Sequence, residues 1–130
     1  MMGQQKARPL SPHLGIWRWG AAMTVSILHR ITGDGMAIVG GLLLTWWLFS
    51  LANGPEYYAM FQSHMSAWYG YVVLVGLSWA FFQHFVSGLR HFVLDVGAGY
   101  EVEANNRWSA VLPFLSIALT AAFWAVIVYV

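Results

Sequence analysis

Three stretches of this chain, residues 35–55, 57–89 and 108–130, contain no Asp, Glu, Lys or Arg. Each is as long as the roughly 20 apolar residues that a helix needs to cross a bilayer. In lipid no water is present to bond backbone N–H and C=O groups, so a spanning segment must satisfy them internally, as a helix does. Composition leaves little room for another solution: 59% of the 130 residues are hydrophobic and 8% are charged. The mean hydropathy of +0.60 is far from that of a soluble domain. The expected fold is an all-α membrane protein with three transmembrane helices, about 22–52, 66–96 and 108–130, in a single domain over 1–130. Residues 1–20 read as an N-terminal interfacial segment. The middle run is longer than one crossing requires, and Gln62, Ser63 and His64 interrupt its start, so Tyr57–Ser66 reads as an interfacial loop.

Orientation follows from the basic residues. Lys6, Arg8, Arg18 and Arg30 precede the first long apolar run, whereas the connection around Asn53–Glu56 has no Lys or Arg. By the positive-inside rule the N-terminus lies inside and the C-terminus outside. Trp17, Trp19 and Trp108 then fall at the inner surface and Trp46, Trp47, Trp68 and Trp124 towards the outer one. The first twenty residues show neither a continuous apolar h-region nor an Arg- and Ser-rich transit pattern. A bacterial inner membrane is therefore the expected setting, ahead of the mitochondrial inner membrane.

Absences narrow the chemistry. With no Cys, the chain can hold neither an iron–sulfur cluster nor a covalently attached c-type haem. No Gly-rich phosphate loop, dinucleotide fingerprint or local Ser-His-Asp pattern is present, so the chain is not expected to be a catalyst by itself. A formal net charge of +1 gives no reason to expect a nucleic-acid partner.

Two polar stripes remain to be explained. His84, Gly88, His91 and Asp95 fall within roughly 60° of one another on a helix, while Arg90 points elsewhere. A neutral imidazole at His84 is suited to coordinating iron, and it is equally a hydrogen-bond partner between helices. Gly88 reads as room for a flat ring or as plain helix packing. His91 reads as a contact for a cofactor carboxylate or as an interfacial group, and Asp95 as a helix-end partner. The second stripe, Ser26, Arg30, Gly33, Ala37, Gly40 or Gly41 and Leu44, sets a hydroxyl and a guanidinium before a face of small residues. Such a face lets a helix or a ring approach closely. Ser26 and Arg30 together suit a polar ligand head, and Asp34 is spaced to pair with Arg30. His13 and His64 read as interfacial.

The segments Arg8-Pro-Leu-Ser-Pro-His13-Leu, Ser26-Ile-Leu-His-Arg30-Ile-Thr-Gly33 and His84-x3-Gly88-x-Arg90-His91-x3-Asp95 resemble the signatures of the cytochrome b membrane-anchor subunits of succinate dehydrogenase, respiratory Complex II. The resemblance covers nearly the whole chain and implies half of a heterodimeric haem-binding helix bundle. It implies haem b with His84 as one axial iron ligand, the second axial histidine coming from a small partner anchor. It further implies quinone reduction at Ser26, Ile27 and Arg30, with His29, Arg30 and His91 beside the haem propionates and Gly88 beside the ring. The implied partners are that small anchor, an iron–sulfur subunit and a flavoprotein subunit. Ubiquinone is favoured over menaquinone by resemblance. Asp34 and Gln83 depart from the commoner family pattern, in which an apolar residue is more usual at Asp34. The alternatives are a fumarate reductase-type or haem-poor quinone anchor and, more distantly, a non-redox helical subunit of a membrane complex.

Overall fold

The computed structural model describes residues 18–129, and every regular element among them is helical. Helix α1 (Ala21–Ala52), α3 (Trp68–Asp95) and α4 (Val102–Tyr129) are each long and apolar enough to cross a membrane. A shorter helix, α2 (Pro55–Met65), joins α1 to α3.

The segment expected as a loop at Tyr57–Ser66 is thus mostly helical, and local chemistry explains it. Asn53 and Gly54 stop α1, with Gly54 at a φ of 104° that favours glycine. Pro55 then occupies the first turn of α2, where its missing N–H costs nothing, and Glu56 lies in the same turn beside the positive end of the helix dipole. Aromatic rings fasten α2 to α1: Trp46 meets Phe61 at 5.0 Å and Phe49 meets Tyr57 at 6.0 Å between centroids. His64 Nδ1 lies 2.7 Å from the Tyr69 hydroxyl on α3.

Helix α4 begins six residues before the charge-free run. Its first turns carry Glu103 and Arg107, whose 2.5 Å ion pair spans one helical turn at the surface. Charge ends a lipid-facing stretch without ending a helix. Between α3 and α4 the chain turns through Gly97 and Gly99, both at positive φ. Arg90 Nη2 donates to Asn105 Oδ1 at 2.5 Å across this corner.

Helices α1, α3 and α4 pack on one another. Their shared interior is small and polar rather than greasy: Thr32, Gln83, Ser87, Ser109, Ser116 and Thr120 are buried, against only Val25, Val86 and Leu112 among large apolar side chains, while Ser50 is buried in the part of α1 that packs on α2. Lipid provides no hydrophobic drive between helices, so close approach and hydrogen bonds must hold them. Ser116 Oγ donates to Gln83 Oε1 at 2.7 Å, Gln83 Nε2 donates to Ser87 Oγ at 3.0 Å, and Trp124 Nε1 donates to Ser78 Oγ at 3.2 Å. The polar residue beside His84 is therefore a clasp between α3 and α4.

One irregularity redirects α1. Met36–Gly40 forms a π-helical turn, which inserts a residue into the helical repeat. The stripe Gly33, Ala37, Gly41, Leu44 consequently does not continue on one face: Ala37 and Leu44 are exposed, and nothing approaches Gly41. Gly40 instead meets the Leu77 side chain at 3.8 Å from its would-be Cβ.

Candidate functional site

The site is built where α1 and α3 touch most closely. Gly33 on α1 makes the approach possible: a Cβ there would lie 2.8 Å from Cε1 of His84, closer than carbon atoms pack. Without that methyl group the His84 ring lies against the α1 backbone. Its Nδ1 sits 3.0 Å from the carbonyl oxygen of His29 and 3.4 Å from Thr32 Oγ1. The Thr32 hydroxyl donates to the Leu28 carbonyl at 2.7 Å, with the His29 carbonyl a longer acceptor at 3.1 Å. A carbonyl can only accept, so Nδ1 carries the proton and the lone pair of the imidazole resides on Nε2. Nε2 has no hydrogen-bond partner among the described residues.

The other histidines gather around the same point. The His29 ring stacks on His84 with centroids 3.9 Å apart and planes 11° from parallel. His91 is tilted against His29 at 5.1 Å and is exposed. Gly88, one turn from His84, faces His29: a Cβ added there would meet His29 Nε2 at 3.8 Å, an ordinary contact. Within this chain, Gly33 rather than Gly88 is the glycine that sterics demand. Among the described residues no set of three His, Cys, Asp or Glu side chains is arranged to chelate one metal ion. Of the clustered histidines, His84 is the one whose Nδ1 is engaged by a carbonyl while its Nε2 is left open.

Nearer the start of α1 lies a second group. Ser26 and Arg30, one turn apart, share a face, and Ile27 beside them is half-buried. Every other serine and threonine hydroxyl among the described residues donates a hydrogen bond, usually to a carbonyl three or four residues back. Ser26 makes none, although it is half-buried. The expected pairing of Arg30 with Asp34 does not form, because both side chains are exposed and the ion pair among the described residues is Arg107 with Glu103. An i,i+4 spacing permits such a pair, but in solvent it has little to hold it. Arg30 is left with an unengaged guanidinium and Ser26 with an unengaged hydroxyl.

The remaining candidates separate from these groups. Asp95 is exposed at the last residue of α3, and His64 is at the opposite end of that helix with Tyr69. His13, Trp17 and the Arg8–His13 segment lie outside the described residues. A cleft of about 450 Å³ between α3 and α4, lined by Val86, Leu89, Trp108 and Leu112 among others, opens on the side of α3 away from His84. Sequence reasoning missed Thr32 and the His29 carbonyl as partners of His84. The first was visible only as a motif letter, and the second is a backbone atom that side-chain patterns do not report.

Comparison with known proteins identifies the family. Residues 4–123 match the family described as succinate dehydrogenase/fumarate reductase transmembrane subunit. The chain is 38% identical over 112 residues to the succinate dehydrogenase cytochrome b556 subunit of Paracoccus denitrificans, covering 86% of this chain and 85% of that one. It is 35% identical over 117 residues to the cytochrome b556 subunit of Rickettsia felis, covering 90% of each. To the mitochondrial cytochrome b560 subunit of Sus scrofa it is 31% identical over 118 residues, covering 85% of this chain and 66% of that one. The chain therefore belongs to the succinate dehydrogenase/fumarate reductase transmembrane subunit family, as a succinate dehydrogenase cytochrome b subunit and membrane-anchor component of an enzyme complex.

Proposed function

We propose that this anchor binds haem b through His84 and forms part of the quinone-reduction site with Ser26, Ile27 and Arg30. The observation that carries the reading is a pair of unengaged groups: an imidazole Nε2 at His84 where α3 meets α1, and a hydroxyl beside a guanidinium at Ser26 and Arg30 in the first turns of α1. Family membership implies haem b, and the residues fit it. His84 is held by its Nδ1–H in the manner of a metal-ligating histidine, Gly33 and Gly88 keep the neighbouring surface shallow, and His29, Arg30 and His91 supply polar contacts for propionates. When bound, such a haem supplies one-electron transfer. A second histidine for the iron would come from a small partner anchor.

Quinone takes up two electrons and two protons to become quinol, so its site must reach both an electron source and water. The iron–sulfur and flavoprotein subunits of the complex would be that source. Ser26 is placed to donate a hydrogen bond to one quinone oxygen, and Arg30 to stabilise negative charge as it develops on the quinone. Neither is a proton donor suited to the reaction, so water or a partner group fills that role. Ubiquinone is the proposed substrate. The N-terminus is assigned to the cytoplasmic face of a bacterial inner membrane by the basic residues before α1.

The test separates two activities of the assembled complex. Ser26→Ala and Arg30→Ala should each lower succinate–quinone reduction about tenfold or more, equivalent to ~1.4 kcal/mol of lost stabilisation, with succinate oxidation by a soluble artificial acceptor retained. Equal loss of both activities would show failed assembly instead of a quinone role.

A further inference from the structure

The environment of His84 Nδ1 assigns a role to a residue outside the proposed ligand set. We infer that Thr32 is a positioning residue for the haem: its hydroxyl oxygen shares the Nδ1–H hydrogen bond of His84 with the His29 carbonyl and so supports the tautomer that the carbonyl sets. The inference rests on the reading of His84 as an iron ligand.

The protons around His84 Nδ1 can be counted. Thr32 is 2% exposed, and its one hydroxyl proton is directed at the Leu28 carbonyl, 2.7 Å away. Its oxygen therefore faces His84 Nδ1, at 3.4 Å, as an acceptor. The His29 carbonyl, at 3.0 Å, is an acceptor by nature. Nδ1 thus meets two acceptors and no donor. The tautomer with a proton on Nδ1 is the one both partners stabilise, and it places the metal-binding lone pair on Nε2. If the Thr32 proton turned instead towards Nδ1, it would favour the opposite tautomer, with Nε2 protonated and unable to bind iron. The back-bond to Leu28 prevents that rotation.

The same contact influences iron. Acceptors that draw on Nδ1–H give the imidazole more anionic character and make Nε2 a stronger donor, which favours ferric over ferrous haem. Of the two acceptors the carbonyl is closer and makes the main bond, and Thr32 adds the smaller share. Removing the hydroxyl while keeping the volume should therefore raise the haem midpoint potential without removing the haem. Gly33 next to Thr32 admits the ring, so the Thr-Gly pair acts as one receptor for His84: glycine gives the space and threonine a second acceptor for Nδ1–H.

Redox titration of the b haem in the purified complex, with the low-spin ferric electron paramagnetic resonance spectrum as a second readout, tests this. Thr32→Val should retain b haem, shift its midpoint upward and move its g-values, whereas Thr32→Ser should restore both towards wild type. If Thr32→Val does not retain haem, Thr32→Ala makes the same comparison against Thr32→Ser with a smaller side chain. An unchanged or lowered midpoint in the hydroxyl-free variant, or an equal shift in Thr32→Ser, would overturn the inference. Failure of the underlying reading has a different signature, since wild-type complex would then contain no b haem or would keep its spectrum when the histidines of the cluster are replaced.

Discussion

At Gly33 a single methyl group separates two outcomes. The would-be Cβ lies 2.8 Å from His84 Cε1, and the ring cannot retreat without leaving the His29 carbonyl. Overpacking of this kind typically costs about 1–3 kcal/mol. Gly33→Ala should therefore reduce the haem retained per complex on detergent extraction, while Gly41→Ala, with nothing within 4 Å, should leave it unchanged. Haem per flavin in the two purified variants measures the difference, and equal retention would remove Gly33 from the site. At this scale the sequence was informative about side chains and silent about backbone. Helical periodicity assembles His84, Gly88 and His91 on one side of α3, and all three do meet α1 at His29. The atom that orients His84 is a carbonyl, which has no letter of its own in a sequence. The Arg30–Asp34 pairing failed for the converse reason, because spacing makes an exposed pair possible without making it favourable.

Hydroxyls, the amides of Gln83 and Asn105 and the Trp124 indole link the elements of the bundle. Gln83 is fully buried, and its oxygen and nitrogen are used by Ser116 on α4 and Ser87 on its own helix. Because Gln83 immediately precedes His84, this clasp also fixes which side of α3 faces α1. Interhelical hydrogen bonds in membranes average about 0.6 kcal/mol and reach roughly 1.7. Gln83→Leu should lower resistance to denaturation by about 1 kcal/mol, seen as a lower detergent-denaturation midpoint, while the b haem spectrum of the folded complex persists. A midpoint equal to wild type would mean that the clasp contributes nothing. Helices α1, α3 and α4 were legible because long charge-free runs admit few alternatives in lipid. The early start of α4 was not, since Glu103 and Arg107 mark the limit of lipid and not of helix. Nor was the π turn at Met36–Gly40, whose residues would equally continue an α-helix. That turn is why the small-residue stripe read from α1 breaks after Gly33.

For the whole molecule, the exterior of the long helices is apolar. Leu42, Phe92 and Phe114 are each about two-thirds or more exposed, at 68%, 69% and 73%, a surface fit for lipid and partner helices and unfit for water. The absence of cysteine makes its topology directly measurable. Asn53→Cys, in the exposed link between α1 and α2, should react with a membrane-impermeant maleimide from the periplasmic side of intact cells. Ala98→Cys, in the exposed turn after α3, should react only when the cytoplasmic side is opened. The reverse pattern would invert the assigned orientation. The proposed haem site depends above all on His84 as the iron ligand from this chain. Because the His29 ring lies only 3.9 Å away and is free to take an emptied place, the decisive comparison includes both residues. The measurement is the low-spin b haem spectrum per complex in wild type, His29→Ala and the His29→Ala, His84→Ala double variant. The spectrum should be present in the first two and lost in the third. A wild-type complex without b haem, or an unchanged low-spin spectrum in the double variant, would contradict the proposed site.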